Sequence, residues 1–311
     1  MKIYTDINNI NLENSIVTIG VFDGVHIGHQ YVLKELKRIA SEKKTESTVV
    51  TLWPHPRYVL NKDANDLQLL NTLEEKQTLL AKADIDNLVI IPFTKEFASL
   101  SSSNFIKKYL VDKLKINELI IGFDHHFGKN RKGGIDELEY CTKKYKFEIS
   151  KLSPKGVSEI NVSSTKIRNA LLNGDIEIAN EFLGYNYFIS GRVVRGNNIG
   201  QKIGFPTANI KINSYFKVIP SDGVYAVMVN VKGIMYRGML NIGNRPTINI
   251  ENKEKCIEVN IFDFDEDIYN EEIRIEFYKK IRKEKKFKNI ETLKKHLLID
   301  ENIIRDFFEN R

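Results

Sequence analysis

The fold of this chain is decided by the stretch Gly20-Val21-Phe22-Asp23-Gly24-Val25-His26-Ile27-Gly28-His29. The apolar run of residues 16–21 that leads into it predicts a buried strand of a parallel sheet. Glycines at the following turn let a ligand approach the backbone, and the N-terminus of the next helix suits phosphate. The two histidines add hydrogen-bond donors where charge would develop on a phosphorus under attack. The stretch therefore predicts a nucleotide site at the first strand end of an open α/β sheet. The helix is indicated by apolar residues at helical spacing: Val32, Leu33, Leu36, Ile39 and Ala40.

The composition indicates a protein of two domains that acts on small anionic molecules. The chain has 311 residues, and 42% of them are hydrophobic, which is enough for packed cores. Its 47 basic and 41 acidic residues give a net charge of +6. That charge suits ATP as a substrate and is too small and too interspersed to mark a nucleic-acid surface.

The cysteines and the hydropathy of the sequence indicate the cellular compartment of the protein. Cys141 and Cys256 lie far apart without metal-ligand spacing, which favours a reduced, cytoplasmic environment. The first residues resemble neither a signal peptide nor an anchor, and no apolar run is long enough to cross a membrane. We therefore expect a cytoplasmic protein, monomeric or weakly homo-oligomeric, with neither nucleic acid nor a membrane as a partner.

Strands and helices alternate in residues 1–184, which predicts a doubly wound, Rossmann-like parallel sheet as the first domain. Ligands of such sheets bind at the carboxyl ends of the strands. The predicted strands are residues 16–22, 47–52, 88–92, 118–123 and 147–152. The predicted helices are residues 30–44, 73–82, 103–113 and 135–145.

Short alternating runs dominate residues 185–311, which predicts a six-stranded antiparallel β-barrel with a C-terminal helix as the second domain. The helix is indicated by apolar residues spaced along residues 293–308. The predicted strands are residues 190–195, 207–212, 223–231, 235–242, 257–264 and 272–277.

The pattern His-x-Gly-His resembles the signature of the HxGH nucleotidyltransferase superfamily, and the longer G-x-F-D-G-x-H-x-G-H resembles that of prokaryotic FAD synthetases. This resemblance implies transfer of AMP from ATP, with His26 and His29 stabilising the phosphates in the transition state. It implies that ATP is bound by Gly20, Phe22, Asp23, Gly24, His26 and His29.

Three further motifs of the first half resemble elements of the same family. Trp53-Pro54-His55-Pro56 is similar to its Pro-His-Pro element, which implies flavin contacts for His55 and Pro56. The stretch 122–134 is similar to G-x-D-x-x-F-G-x-x-R-x-G, which implies flavin contacts for Asp124 and Phe127, although His125 stands where Phe is more common. The stretch 162–168 is similar to S-S-T-x-I-R, which implies a nucleotide clamp made by Ser164, Thr165 and Arg168, with Arg168 among the catalytic residues.

The chemical centre of the second half is the glycine-rich stretch 196–209. Thr207 and Asn209 share one face of a strand start, and their neutral oxygens suit a magnesium ion shared with phosphates. The stretch resembles the ATP- and flavin-binding signature of riboflavin kinases, with Gln201 in place of the usual Arg. The residues implied in binding are Gly196, Gly200, Gly204, Phe205, Pro206, Thr207 and Asn209.

A carboxylate inside an apolar strand, Glu258, needs a partner or a task. In riboflavin kinases the matching Glu accepts the proton of the ribityl 5′-hydroxyl, so the resemblance implies that Glu258 is the general base. The element around Asn241 is similar to the kinase pattern G-x-x-N-I-G-x-x-P-T and implies a further binding residue. Asn260 and Asn270 depart from the His and Gly that are usual in this family.

We interpret the chain as a bifunctional enzyme that phosphorylates riboflavin to FMN and then transfers AMP to FMN. Its small-molecule partners are riboflavin, FMN, FAD, ATP, ADP and pyrophosphate; flavins are substrates and products, and Mg²⁺ accompanies ATP. A second reading is an FMN adenylyltransferase alone, with a kinase weakened at Gln201, Asn260 and Asn270. A third is a flavin-sensing or nucleic-acid-binding regulator that kept the fold, and a fourth is a nucleotidyltransferase with a different acceptor.

Overall fold

A computed structural model of the chain describes residues 1–60, 67–122, 135–152, 162–196, 199–244 and 255–311. These residues form two compact units, Met1–Ser164 and Thr165–Arg311. Residues 165–184, which the predicted boundary assigns to the first domain, therefore belong to the second compact unit. They do so because their helices bond to the barrel: Ser221 N donates to Leu171 O at 3.1 Å, and Asn180 Nδ2 donates to Phe277 O at 2.9 Å. The assignment of activities to 1–184 and 185–311 stays a prediction.

The first unit is built on a six-stranded parallel sheet in the order β1-β4-β3-β2-β5-β6. Its central strands are buried along most of their length, as expected for a parallel sheet whose two faces are both covered by helices. The strands are β1 (Lys2–Tyr4), β2 (Ser15–Ile19), β3 (Ser47–Trp53), β4 (Asn87–Pro92), β5 (Ile116–Ile121) and β6 (Glu148–Lys151). The doubly wound prediction is confirmed.

Some helices of the first unit begin at a Ser or Thr whose side chain caps the first turn, namely those that follow Thr72, Thr94 and Ser101. Thr72 and Glu75 form a reciprocal capping box at the start of α3, which is why that helix begins where the sequence predicts. The helices are α1 (Ile27–Glu42), α2 (Pro56–Leu60), α3 (Leu73–Lys82), α4 (Lys95–Ala98), α5 (Ser102–Phe105), a π-helix (Ile106–Val111) and α6 (Ile135–Tyr145). A single turn of 3₁₀ helix covers Ile7–Asn9.

The second unit is built on a closed antiparallel barrel in the order β10-β11-β8-β7-β12-β9. The six predicted strands are all present, and the C-terminal helix packs against the barrel through Ile304 and its neighbours. The strands are β7 (Phe188–Val194), β8 (Ala208–Lys211), β9 (Gly223–Val231), β10 (Ile234–Asn244), β11 (Lys255–Ile261) and β12 (Glu272–Arg282). The helices are α7 (Ser164–Asn173), α8 (Ile176–Leu183), α9 (Ile199–Lys202) and α10 (Ile290–Glu309).

Candidate active sites

The first candidate site lies where β2 turns into α1. The backbone takes the left-handed conformation at Phe22, Gly24 and Val25, with φ of 50°, 88° and 37°. His26 is the N-cap residue of α1, and its carbonyl accepts the first helical bond from Gln30 N at 2.9 Å. The turn therefore presents the N-terminus of a 16-residue helix, whose first N–H groups have no acceptor within the helix. Such a terminus favours a phosphate.

The position of this turn in the sheet agrees with a ligand site. After β2 the chain builds β3 and β4 on one side, then returns to place β5 on the other side of β2. The order of strands thus reverses between β2 and β5, and in open α/β sheets ligands bind at this switch point, beyond the carboxyl ends. The residues that follow β2 are the histidine motif. The motif that follows β5 contains Asp124 and Phe127, which lie outside the described residues.

The two histidines of the motif form one stacked pair. Their ring centroids are 3.7 Å apart with an angle of 18° between the planes, and Phe22 packs edge-on against His29 at 5.2 Å. Burial, the neighbouring His26 and the Lys76 ammonium hold the pKa of His29 well below its usual value. His29 is therefore neutral at physiological pH, and a neutral imidazole has one N–H that can donate a hydrogen bond without bringing a charge to the site.

A buried lysine that sequence reasoning missed supports the turn from α3. Lys76 is 2% exposed, and its Nζ donates a 2.7 Å hydrogen bond to the carbonyl oxygen of Val21. Thr51 Oγ1 approaches the same oxygen at 3.3 Å, and Lys76 Nζ lies 5.4 Å from the centroid of the Trp53 ring. Burial lowers the pKa of Lys76 to about 8, although the Asp23 carboxylate opposes this. A cation thus lies beneath the predicted phosphate site.

Several other predicted residues of the first site contact the turn. Asp23 is buried, and its Oδ1 accepts a 2.9 Å hydrogen bond from Leu70 N, so this carboxylate holds the loop before α3. Ser164 Oγ donates to the Asp23 carbonyl oxygen at 2.9 Å. Gly20 packs tightly against Phe22, because a Cβ there would lie 3.0 Å from the Phe22 ring and this ring would have to move by a few tenths of an ångström. The structure therefore brings Gly20, Phe22, Asp23 and Ser164 together with the histidines.

Four other predicted residues of the first half are located by the order of the strands or by the compact unit to which they belong. His55 and Pro56 follow β3, the neighbour of β2, so they lie at the same edge of the sheet as the histidines. His55 Nδ1 accepts a 3.1 Å hydrogen bond from Arg57 N, and Pro56 begins α2. Thr165 and Arg168 belong to the second compact unit, where Arg168 Nη2 lies 3.5 Å from Thr165 Oγ1. Their role as a nucleotide clamp stays a prediction.

The second candidate site is a row of polar side chains across three strands of the barrel. Glu258 in β11 is paired with Asn241 in β10 on one side and with Asn209 in β8 on the other. Residues directly opposite each other in antiparallel strands place their side chains on one face of the sheet. The next strand residues alternate to the other face, and Leu240, Ile257 and Val259 are at most 4% exposed there. The row therefore lies on the opposite face of the sheet from these three side chains, the face on which Met239 packs in the core beneath the C-terminal helix.

A thiol completes this row, and no sequence motif points to it. Cys256 lies two residues before Glu258 on the same strand, so it shares the face of the row. Its Sγ lies 3.1 Å from Glu258 Oε1 and 3.9 Å from Asn209 Oδ1. The thiol donates and the carboxylate accepts.

The glycine-rich stretch lies directly against the row. A Cβ at Gly196 would collide with the Asn209 amide, and a Cβ at Gly200 would collide with the Phe205 carbonyl oxygen. Gly204 has φ of 87°, a conformation that side chains rarely adopt, and it precedes the buried Phe205. The stretch requires glycine at each of these positions, as the motif predicts. Pro206 and Thr207 are exposed immediately before β8.

The departures from the kinase pattern have structural explanations at two positions. Asn260 is 7% exposed, and its Nδ2 donates a 2.6 Å hydrogen bond to the Pro206 carbonyl oxygen, so it ties β11 to the glycine-rich stretch. Asn270 has φ of 66°, a conformation that Asn tolerates better than most residues and that explains why Gly is usual there. Gln201 is exposed in α9, and no contact in the structure explains its presence.

The donor set at the second site fits a magnesium ion that is held mainly by phosphates. Asn209 offers a neutral amide oxygen, and Thr207 offers a hydroxyl two residues earlier; both are ligands of the hard type that Mg²⁺ prefers. In the part of the chain that the structure describes, no group of three or more His, Cys, Asp or Glu side chains is arranged to hold a metal. Dedicated all-protein cages are not the usual mode of binding for this ion, which keeps waters and substrate phosphates.

The two sites together define a class of protein. A helix N-terminus with paired histidines at the switch point of a parallel sheet is typical of nucleotidyl transfer. A glycine-rich stretch beside a carboxylate and neutral oxygen ligands is typical of phosphoryl transfer to a hydroxyl. The fold and sites therefore define a two-site, nucleotide-dependent transferase. Within the described residues, no helix combines the length and apolar character needed to span a bilayer.

Comparison with known proteins identifies the family. Residues 8–166 match the FAD synthetase family, and residues 183–308 match the riboflavin kinase family. The chain is 40% identical over 304 residues to a bifunctional riboflavin kinase/FMN adenylyltransferase of Bacillus subtilis, covering 95% of this chain and 93% of that protein. It is 35% identical to the Escherichia coli K12 protein of the same name, covering 99% and 98%. The chain belongs to the family of bifunctional riboflavin kinase/FMN adenylyltransferases.

A solved structure agrees with the fold. A Streptococcus pneumoniae protein described as a macrolide-efflux protein is similar to this chain with a TM-score of 0.87 and 30% sequence identity. The similarity covers 97% of this chain and 98% of that one.

Proposed function

We propose that the two activities of this family are carried by separate sites on this chain. Residues 1–184 transfer AMP to FMN, and residues 185–311 phosphorylate riboflavin. The observation that carries the proposal is the alignment of Glu258 with Asn209 and Asn241 across three strands, beside the glycine-rich stretch. The division also follows the two family matches, which do not overlap.

In the kinase site Glu258 is the general base. It accepts the proton of the riboflavin 5′-hydroxyl as that oxygen bonds to the γ-phosphorus of ATP, and the bond from this phosphorus to the bridging oxygen breaks to release ADP. A positioned base is needed because a neutral hydroxyl is a weak nucleophile. Asn241 lies beside the base in the register of the sheet and is proposed to orient the substrates.

The glycine-rich stretch is proposed to hold ATP. Its backbone approaches ligands closely, and the residues that bind are Gly196, Gly200, Gly204, Phe205, Pro206, Thr207 and Asn209. Thr207 and Asn209 would hold Mg²⁺, which when bound neutralises charge on the β- and γ-phosphates. Asn209 is directly opposite Glu258 in the pairing of β8 with β11, so this proposal puts the magnesium-bound phosphates next to the base.

In the adenylyltransferase site an FMN phosphate oxygen attacks the α-phosphorus of ATP in line, and the bond to the pyrophosphate oxygen breaks. His26 and His29 donate to the phosphate oxygens as charge develops there, and the N-terminus of α1 stabilises the same charge. Ser164, Thr165 and Arg168 are proposed to bind the nucleotide. The flavin is proposed to contact His55, Pro56, Asp124 and Phe127. The cytoplasmic setting and the monomeric or weakly oligomeric state remain predictions.

The test is a pair of assays on Glu258→Gln, a change that removes the base and keeps the shape of the side chain. With riboflavin, ATP and Mg²⁺, we expect FMN formation to fall by about a hundredfold or more. With FMN supplied, we expect FAD formation to match that of the unmodified chain. Glu272→Gln is the control, since Glu272 is an exposed carboxylate of β12. Normal FMN formation by Glu258→Gln would refute the assignment of the base, and loss of both activities would refute separate sites.

A further inference from the structure

The face of β11 that carries Glu258 contains a second reactive group, the thiol of Cys256. The side chain of Cys256 is partly buried, whereas the other cysteine, Cys141, is fully buried in the core of the first unit. Cys256 Sγ lies 3.1 Å from Glu258 Oε1, well within the range of a hydrogen bond to sulfur. A carboxylate side chain has several rotamers, and a fixed donor on one oxygen selects among them.

The thiol is itself held in place by the strands around it. Cys256 is directly opposite Gly243 in β10, which adds no side chain to the face. A Cβ at residue 243 would collide with the Glu284 carboxylate, so this glycine leaves room for a second acidic side chain next to the row. On the opposite side, Cys256 Sγ is 3.9 Å from Asn209 Oδ1. The thiol thus lies close to both the base and the amide that is proposed to hold the magnesium ion.

We infer that Cys256 is a positioning residue for riboflavin phosphorylation: its S–H donates to Glu258 Oε1 and turns the other oxygen, Oε2, toward the 5′-hydroxyl. The inference rests on the proposed role of Glu258 as the general base. The thiol keeps its proton throughout, and the substrate proton is transferred to Glu258. A donor on Oε1 restricts the carboxylate to the orientation in which a proton acceptor faces the substrate, which is a contribution to the reaction and not to binding.

The experiment compares Cys256→Ala, which removes the donor, with Cys256→Ser, which keeps a hydroxyl donor in a smaller side chain. For Cys256→Ala we expect kcat for FMN formation to fall about fivefold, the size expected for loss of one such hydrogen bond. The KM values for riboflavin and ATP should stay within about twofold, because the lost interaction acts in the transition state. Cys256→Ser should recover most of kcat.

FAD formation from supplied FMN, measured on the same preparations, shows that the first unit is intact, and unchanged KM values for riboflavin and ATP show that the kinase site is folded. Glu258→Gln is assayed beside them. If Cys256→Ala has the kcat of the unmodified chain while Glu258→Gln is inactive, the inference is wrong and the base assignment survives. If Glu258→Gln is active, the base assignment itself fails. If Cys256→Ser loses as much kcat as Cys256→Ala, the donor is not what matters, and the inference is again overturned.

Discussion

The buried lysine beneath the histidine motif gives a prediction that can be worked out in numbers. Lys76 is 2% exposed, and burial lowers its pKa to about 8 from an ordinary value of 10.5. The substitution Lys76→Met removes the ammonium and keeps an unbranched side chain of similar length. It also removes one donor from the Val21 carbonyl oxygen, leaving Thr51 Oγ1 at 3.3 Å.

The sign of the pH effect follows from the two pKa values. Because the folded pKa lies below the unfolded one, the unfolded chain binds more protons between about pH 8 and pH 10.5, and stability rises with pH across this window. The full difference corresponds to about 3 kcal/mol. Of this, about 2.5 kcal/mol falls between pH 7 and pH 10. Below pH 8 the buried ammonium opposes folding, and above pH 10.5 it no longer does so.

The assay uses Trp53, the one tryptophan of the chain, whose ring lies 5.4 Å from Lys76 Nζ. Tryptophan fluorescence therefore reports unfolding of the first unit in urea, at pH 7 and at pH 10. We expect the free energy of unfolding of the unmodified chain, minus that of Lys76→Met, to increase by about 2.5 kcal/mol between the two pH values. Other titrating groups cancel in this difference. Lys82→Met, which removes an exposed lysine of the same helix, is the control.

Two results would refute this reasoning. If the difference between Lys76→Met and the unmodified chain is the same at pH 7 and pH 10, Lys76 is not a buried cation with a lowered pKa. If Lys82→Met shows the same pH-dependent difference, the effect does not come from burial. A titration of native Trp53 fluorescence gives a second measurement, because its midpoint should lie near pH 8 and should be absent in Lys76→Met.

Three further predictions concern the histidine motif, the proposed magnesium ligand and a buried ion pair of the second unit. His29→Ala should lower adenylylation of FMN by about a hundredfold and leave riboflavin phosphorylation unchanged; normal FAD formation would remove the histidine from the mechanism. Asn209→Ala should raise, severalfold, the Mg²⁺ concentration at which FMN formation is half-maximal, and an unchanged requirement would exclude it as a ligand. Arg282→Met should destabilise the second unit by about 3 kcal/mol, because it leaves the buried Asp300 without its bidentate partner. Asp263→Asn, which breaks an exposed ion pair, should change the urea midpoint little, and equal effects would contradict the argument.

The fold of the first unit was predictable where apolar runs are long and caps are explicit. The helix Leu73–Lys82 has the bounds that its helical pattern predicts, and the structure shows that the capping box of Thr72 and Glu75 fixes its start. The strand Lys2–Tyr4 was missed because it has only three residues, and Ile3 is 45% exposed. The segment predicted as one helix over 103–113 is instead α5 followed by a π-helix, whose changed bonding pattern leaves no trace in hydrophobic spacing.

The motifs of the candidate sites could be predicted from the sequence, but the side chains that lie next to one another in each site could not. Glu258, Asn209 and Asn241 were each expected to function, yet only the register of three strands aligns them in one row. Lys76 was missed because it contacts Val21, 55 residues earlier, and a lysine on a helix is ordinarily exposed. Cys256 was missed for a similar reason, since only the pairing of the strands places it beside Asn209.

If the two activities are divided as proposed, the chemistry of the two nucleophiles accounts for the difference in charged groups between the sites. The FMN phosphate is already largely ionised at neutral pH, since the second pKa of a phosphate ester is about 6, so it needs no base. Consistently, the first site contains the neutral His29 and the buried Lys76, and the Asp23 carboxylate accepts a hydrogen bond from the backbone N–H of Leu70. The riboflavin hydroxyl must lose a proton to react, and the second site has Glu258 at the centre of its row. Phosphoryl transfer to a hydroxyl is promoted by a carboxylate that accepts the proton. Attack of one phosphate on another is hindered by a nearby carboxylate, because like charges repel. Two such opposed requirements are better met by two separate sites than by one.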